Sequence, residues 1–212
     1  SAMLNSLDVT NVANGSGANV KYAFASSFGT PAGKWTTSTA VIATLTDFAK
    51  NGANMEGLFV NSFLMDNRGA SITWNGGEVA AAGNNKQMFA VVATDDAGTP
   101  AHSYLKKIDA PALTKAAADV SEMFKGAENL ADLRLGTKEA KPSGLGAYVA
   151  WDMSATTNAQ SMFESAFATS AAANSIRIMD VNLGKPNMRY FMKGASNLAT
   201  VELPYSTNKG SA

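Results

Sequence analysis

Residues 120–135 read VSEMFKGAENLADLRL, and residues 188–203 repeat the phrase in altered form as MRYFMKGASNLATVEL. Lys, Gly, Ala, Asn, Leu, Ala and Leu occupy the same seven of sixteen places in both, without a gap. A phrase written twice is the mark of a repeat architecture, so its pattern is expected elsewhere in the chain. Aligned on Met123-Phe124, it recurs as VKYAFASSF from residue 20, MEGLFVNSF from 55, NKQMFAVVA from 85 and AQSMFESAF from 159. The anchors are Phe24, Phe59, Phe89, Phe124, Phe163 and Met192, at spacings of 35, 30, 35, 39 and 29 residues.

Short alternating segments lie between the anchors: Leu7-Asp8-Val9, Trp35-Thr36-Thr37, Ile72-Thr73-Trp74, Tyr104-Leu105-Lys106, Leu133-Arg134-Leu135, Ile176-Arg177-Ile178 and Val201-Glu202-Leu203. Period-two alternation predicts short strands that bury every second side chain. Fifteen residues separate Val9 from Phe24, and fifteen separate Trp74 from Phe89. On this ruler two units carry insertions, with 22 residues from Thr37 to Phe59 and 28 from Leu135 to Phe163. The expected fold is an α/β repeat, a solenoid with one short parallel strand and one short helix or turn per unit and irregular unit lengths. No unit can bury its apolar side alone, so the units stack. Within the phrase, Val120, Met123, Phe124 and Leu130 form the inward set, while Lys125 and Glu128 face water. Gly126 and Gly194 suit a positive φ. Asn129 and Asn197 are expected to bond backbone groups in the turn.

These residues resemble the BspA-like leucine-rich repeats of bacterial surface proteins. Lys125-Gly126-Ala127-Glu128-Asn129-Leu130 and Lys193-Gly194-Ala195-Ser196-Asn197-Leu198 match best, with Leu7-Asp8-Val9-Thr10-Asn11-Val12 a good third. The chain departs from that pattern in its longer units, in Ala127 and Ala195 where the family often has cysteine, and in the Trp and Thr of several strands. The resemblance implies a leucine-rich-repeat solenoid, a place outside the bacterial cell or on its surface, and binding or adhesion rather than catalysis. Residues 4–205 are expected to form a single domain of six to seven units. Ser1, Ala2 and Met3 read as a cloning remnant, and residues 206–212 as a disordered tail.

Composition narrows the function. Seventeen Lys and Arg balance seventeen Asp and Glu, and no basic cluster offers the phosphate neutralisation that nucleic acid requires. No apolar run is long enough to span a bilayer, so no membrane insertion is expected. Cysteine is absent, which excludes disulfides, thiolate metal sites and a cysteine nucleophile. His102, the one histidine, lacks catalytic partners. Asp95-Asp96, in ATDDAGT, lacks the alternating ligands of a calcium loop. Neither a cofactor nor a metal is expected.

A ligand site would fall on the strand face, whose outward column is expected to be Asp8, Thr36, Thr73, Lys106, Arg134, Arg177 and Glu202. Arg134 and Arg177, as neighbours, would clamp a carboxylate or sulfate; alternatively, Arg177 pairs with Glu202 and the column is a solvated face. Tyr148 and Trp151, in the longest insertion, are candidate contacts, because long loops often carry function. Trp35 and Trp74 are expected in the core. The expected function is a binding module for an extracellular protein or glycan, the alternative being a spacer segment without a ligand. Apolar residues at both ends, Leu4 and Leu7 against Val201 and Leu203, add an expectation of end-to-end self-association.

Overall fold

The computed structural model describes residues 6–28, 41–64, 69–76, 83–94, 98–136, 146–150, 152–169, 175–178 and 186–202. Eight strands form one all-parallel sheet in chain order: β1 (Ser6–Thr10), β2 (Val41–Thr46), β3 (Ala70–Asn75), β4 (Leu105–Ala110), β5 (Asp132–Leu135), β6 (Ala147–Val149), β7 (Ser175–Ile178) and β8 (Thr200–Glu202). Leu7, Ala43, Ile72, Ile108, Leu133, Ala147, Ile176 and Val201 pair in unbroken register. From Ala43 to Ile176 this inward column is sealed from solvent. A one-residue slip would turn the whole column outward, so burial holds the register.

Three strands differ from the sequence expectation: β4 runs on to Ala110 where Tyr104-Leu105-Lys106 was expected, and the other two together remove the insertions. The strand between β1 and β3 is VIATLT, not Trp35-Thr36-Thr37, which lies outside the described residues. Fourteen residues then separate Leu45 from Phe59. Similarly, AYV within the supposed long loop is β6, and fourteen residues separate Val149 from Phe163. The strand-to-anchor distance is thus nearly constant, as stacking of equivalent coils demands. Trp74 is fully buried as expected, whereas Trp35 lies outside the described residues.

No helix occurs among the described residues; the segment opposite the sheet is a run of tight turns. Its amides alternate in destination. Around Phe124, the N–H groups of Met123, Lys125 and Ala127 bond back three residues to Val120, Glu122 and Phe124. Those of Val120, Glu122, Phe124 and Gly126 cross instead to Asn158, Gln160, Met162 and Glu164 of the next coil. A helix would direct every amide along its own axis and leave none for the neighbour. The alternation requires left-handed residues at fixed places, which Glu122 (φ 55) and Gly126 (φ 72) supply in this coil.

Inside the turns runs a column of rings. Phe24, Phe59, Phe89, Phe124 and Phe163 follow one another at centroid separations of 5.2, 5.9, 5.4 and 5.1 Å, all near parallel. Phe191 closes the column edge-on to Phe163 at 5.4 Å. The repeated anchor is therefore a packing element: each ring buries its faces against the rings of adjacent coils, which no single coil achieves.

β5 breaks the one-strand-to-one-turn rule. The turn containing Phe124 abuts the turn containing Phe163, yet both β5 and β6 lie between them in sequence. The sheet thereby gains about one strand spacing, 4.8 Å, that the turn side lacks.

Candidate functional site

The outward column of the sheet is Asp8, Thr44, Thr73, Asp109, Arg134, Tyr148, Arg177 and Glu202. Asp8, Thr73, Arg134, Arg177 and Glu202 occupy it as the alternation predicted. Thr36 lies outside the described residues, and Thr44 fills the place assigned to it. Lys106 is not in the column but is the extra residue of a register shift, which pairs Ala70 with Leu105, Ser71 with Lys107 and Thr73 with Asp109. Asp109 consequently takes the column position, while exposed Lys106 lays its alkyl stem over Gly69.

The charged half of this column is engaged within the molecule. Arg134 reaches Asp109 at 3.4 Å, Lys107 reaches Asp132 at 3.2 Å, and Arg177 pairs with Glu202. Each pair links neighbouring strands, where opposite charges stabilise a sheet. The expected clamp of adjacent arginines does not form, because β6 places Tyr148 between Arg134 and Arg177. Nor is Tyr148 an exposed loop contact: it is fully buried in a strand. Trp151 lies outside the described residues.

The other half of the face, on β1 to β3, has a different chemistry. Thr44, Thr46, Ser71 and Thr73 point outward, and their hydroxyls make no bond within the described residues. Ile42, beside Ser6 and Ser71 in register, is 50% exposed. Side chains two apart on a strand stand roughly 6.6 Å apart, and those on adjacent strands about 4.8 Å apart. This geometry makes a flat grid of hydroxyls and methyl groups, with the Asp8 carboxylate at its β1 margin.

The turn side carries a second ordered feature, which the sequence reading passed over. Asn19, Asn54, Asn84, Asp119, Asn158 and Asn187 each stand five residues before an anchor. Each side-chain oxygen accepts the amide two residues on, from Lys21, Glu56, Lys86, Ser121, Gln160 and Arg189 respectively. These six identical Asx turns start every turn run. Reading five places upstream of each anchor would have revealed them. Asn129 does bond a backbone group, but before β4 rather than in its own turn, donating to the Ser103 carbonyl at 2.6 Å; Asn197 is exposed.

Charges also alternate along the turn side. Glu56 binds Lys21 at 2.9 Å and accepts from Tyr22 at 3.1 Å. The hydrogen bond from Lys21 chiefly holds the Glu56 carboxyl below its usual range. Glu164 lies between Lys125 at 3.6 Å and Lys193 at 3.4 Å. Burial pushes its carboxyl up, but the Ser161 hydrogen bond and both lysines outweigh that effect and leave it low. His102 is exposed and bound to Glu128 at 2.6 Å. No group of three His, Cys, Asp or Glu residues that could hold a metal occurs among the described residues. Asp95 and Asp96 lie outside them. No helix among them is long and apolar enough to cross a membrane.

No protein-family model matches the chain, and no curated protein or solved structure matches it.

Proposed function

We propose that the chain is a binding module of a bacterial surface or secreted protein, recognising a protein or glycan through the β1–β3 part of its strand face. The observation that carries this reading is the contrast along the face. On β4 to β8 the charges of the outward column are spent on neighbouring strands, whereas on β1 to β3 the hydroxyls of Thr44, Thr46, Ser71 and Thr73 have no partner among the described residues. A flat grid of donors, acceptors and methyl groups suits an extended, uncharged ligand, whose hydroxyl or amide groups recur along its length. The resemblance to BspA-like leucine-rich repeats supports a place outside the cell and a non-enzymatic role. The spacer reading draws on the self-paired half of the face, which leaves few free charges for a partner.

Binding of the chain to a glycan array and a panel of extracellular matrix proteins tests the proposal. Thr73→Lys and Ile42→Lys, at outward positions, should abolish a hit while leaving folding intact. Arg134→Glu with Arg177→Glu should have little effect. A hit that survives the β1–β3 substitutions refutes this placement of the site. No hit at all favours the spacer.

A further inference from the structure

The two ends of the molecule are complementary, and we propose that they join: the β8 end of one copy docks on the β1 end of a second, head to tail. Along the turn side, every internal junction shares four amides crossing to four carbonyls of the following coil, as from Val20, Tyr22, Phe24 and Ser26 to Asn54, Glu56, Leu58 and Val60, where Phe28 to Ser62 adds a fifth. The last coil presents the equivalent amides of Met188, Tyr190, Met192 and Gly194, which donate to nothing among the described residues. At the first coil, the carbonyls of Asn19, Lys21 and Ala23 accept nothing, and that of Ala25 takes only the Ser27 hydroxyl at 3.4 Å. Donors line one end and acceptors the other, at the same spacing. A turn run whose four free amides are donors finds its complement in the four carbonyls of the other end, so the occupant that matches it is a second copy's first coil.

Among the described residues, no strand pairs with the outer edge of β1 or of β8. All three residues of β8 are exposed, including Val201 at 43%, and Leu7 and Val9 of β1 are only half-buried. Neither edge carries a proline or a bulge to block a further strand. Parallel pairing that continues the internal register sets Val201 beside Leu7 and Glu202 beside Asp8.

The molecule contains a template for such a joint. A continuous coil would place a turn between β8 and the next strand, and the joint lacks one. At the step from β5 to β6 the two strands pair directly and the turns of Phe124 and Phe163 on either side bond each other. Turn, β5, β6, turn is the same order of elements as turn, β8, partner β1, partner turn.

One feature opposes the joint: like charges meet across it, Glu202 against Asp8 and Arg189 against Lys21. Association is therefore weak in dilute buffer and strengthens as salt screens the repulsion. Because the contact is heterologous, assembly is open-ended and does not stop at a dimer.

Sedimentation equilibrium of the chain, from micromolar to millimolar concentration and at low and high salt, tests this. Average mass should climb with concentration, faster in high salt. Among the described residues Asp8 makes a single side-chain hydrogen bond, from Thr10 at 3.4 Å, so Asp8→Lys replaces a repulsion by an attraction and should tighten association roughly tenfold at low salt. Val201→Lys, at an exposed position, should leave the unfolding midpoint unchanged and prevent association. A mass that stays monomeric for both the parent chain and Asp8→Lys overturns the proposal. So does a species that saturates at two copies, or one indifferent to Val201→Lys.

Discussion

Replacing Phe124 by alanine tests the idea that the repeated anchor exists to build the ring column. The Phe124 side chain is fully buried, with Phe89 at 5.4 Å on one side and Phe163 at 5.1 Å on the other. Phe→Ala in a core costs about 3–5 kcal/mol through lost transfer energy and the cavity left behind. Each stacked pair adds about 0.5–1.5 kcal/mol beyond area burial, and two pairs vanish here, so the loss should lie near the top of that range. Phe191 is half-buried and holds one ring contact, edge-on; its truncation should cost about half as much, because an end site collapses more easily. Urea unfolding followed by circular dichroism measures both, with Phe124→Leu as an intermediate step if the alanine variant does not fold. Equal losses at the two sites, or a loss under about 1.5 kcal/mol at Phe124, would refute the claim that stability is transmitted ring to ring between coils.

Backbone strain offers a second check. Ser26 (φ 53) stands where two other coils have Gly126 and Gly194, and it is exposed. Ser26→Gly should therefore stabilise by about 0.5–1 kcal/mol in the same urea assay, since a left-handed L-residue costs roughly 1–2 kcal/mol. The reverse change, Gly126→Ala, brings a Cβ to 2.6 Å from the Val91 carbonyl oxygen at φ 72 and should cost more than about 1 kcal/mol. The Trp74 indole N–H is buried without a partner; an orphaned donor costs about 1–3 kcal/mol, so Trp74→Phe should lower the thermal midpoint far less than its loss of volume implies. Finally, Glu56 and Glu164 have lowered pKa values. Their contribution to stability is complete above the ordinary glutamate value of 4.5, and it fades as pH falls through the lower folded-state values. A Glu56→Gln, Glu164→Gln double variant should show a shallower decline in melting temperature below that pH than the parent chain.

The amino-acid sequence by itself determined the repeat, its anchors and its inward side. Local pattern suffices for these, because a large apolar anchor recurring at 29 to 39 residues means the same thing in every coil. It also held the Asx signal five places before each anchor, legible once the frame is known. Strand choice was less accessible. Trp35-Thr36-Thr37 alternates as well as VIATLT does, and AYV is too short to stand out, so only pairing with neighbours decides which segment enters the sheet. The site depended on that decision. With one strand overlooked, Arg134 and Arg177 look adjacent; with β6 in place they are separated by Tyr148 and each turns to a carboxylate on its other side. Register across strands far apart in sequence is a tertiary property, set by which columns of side chains fill the core together. The outward face inherits its order from that inward fit.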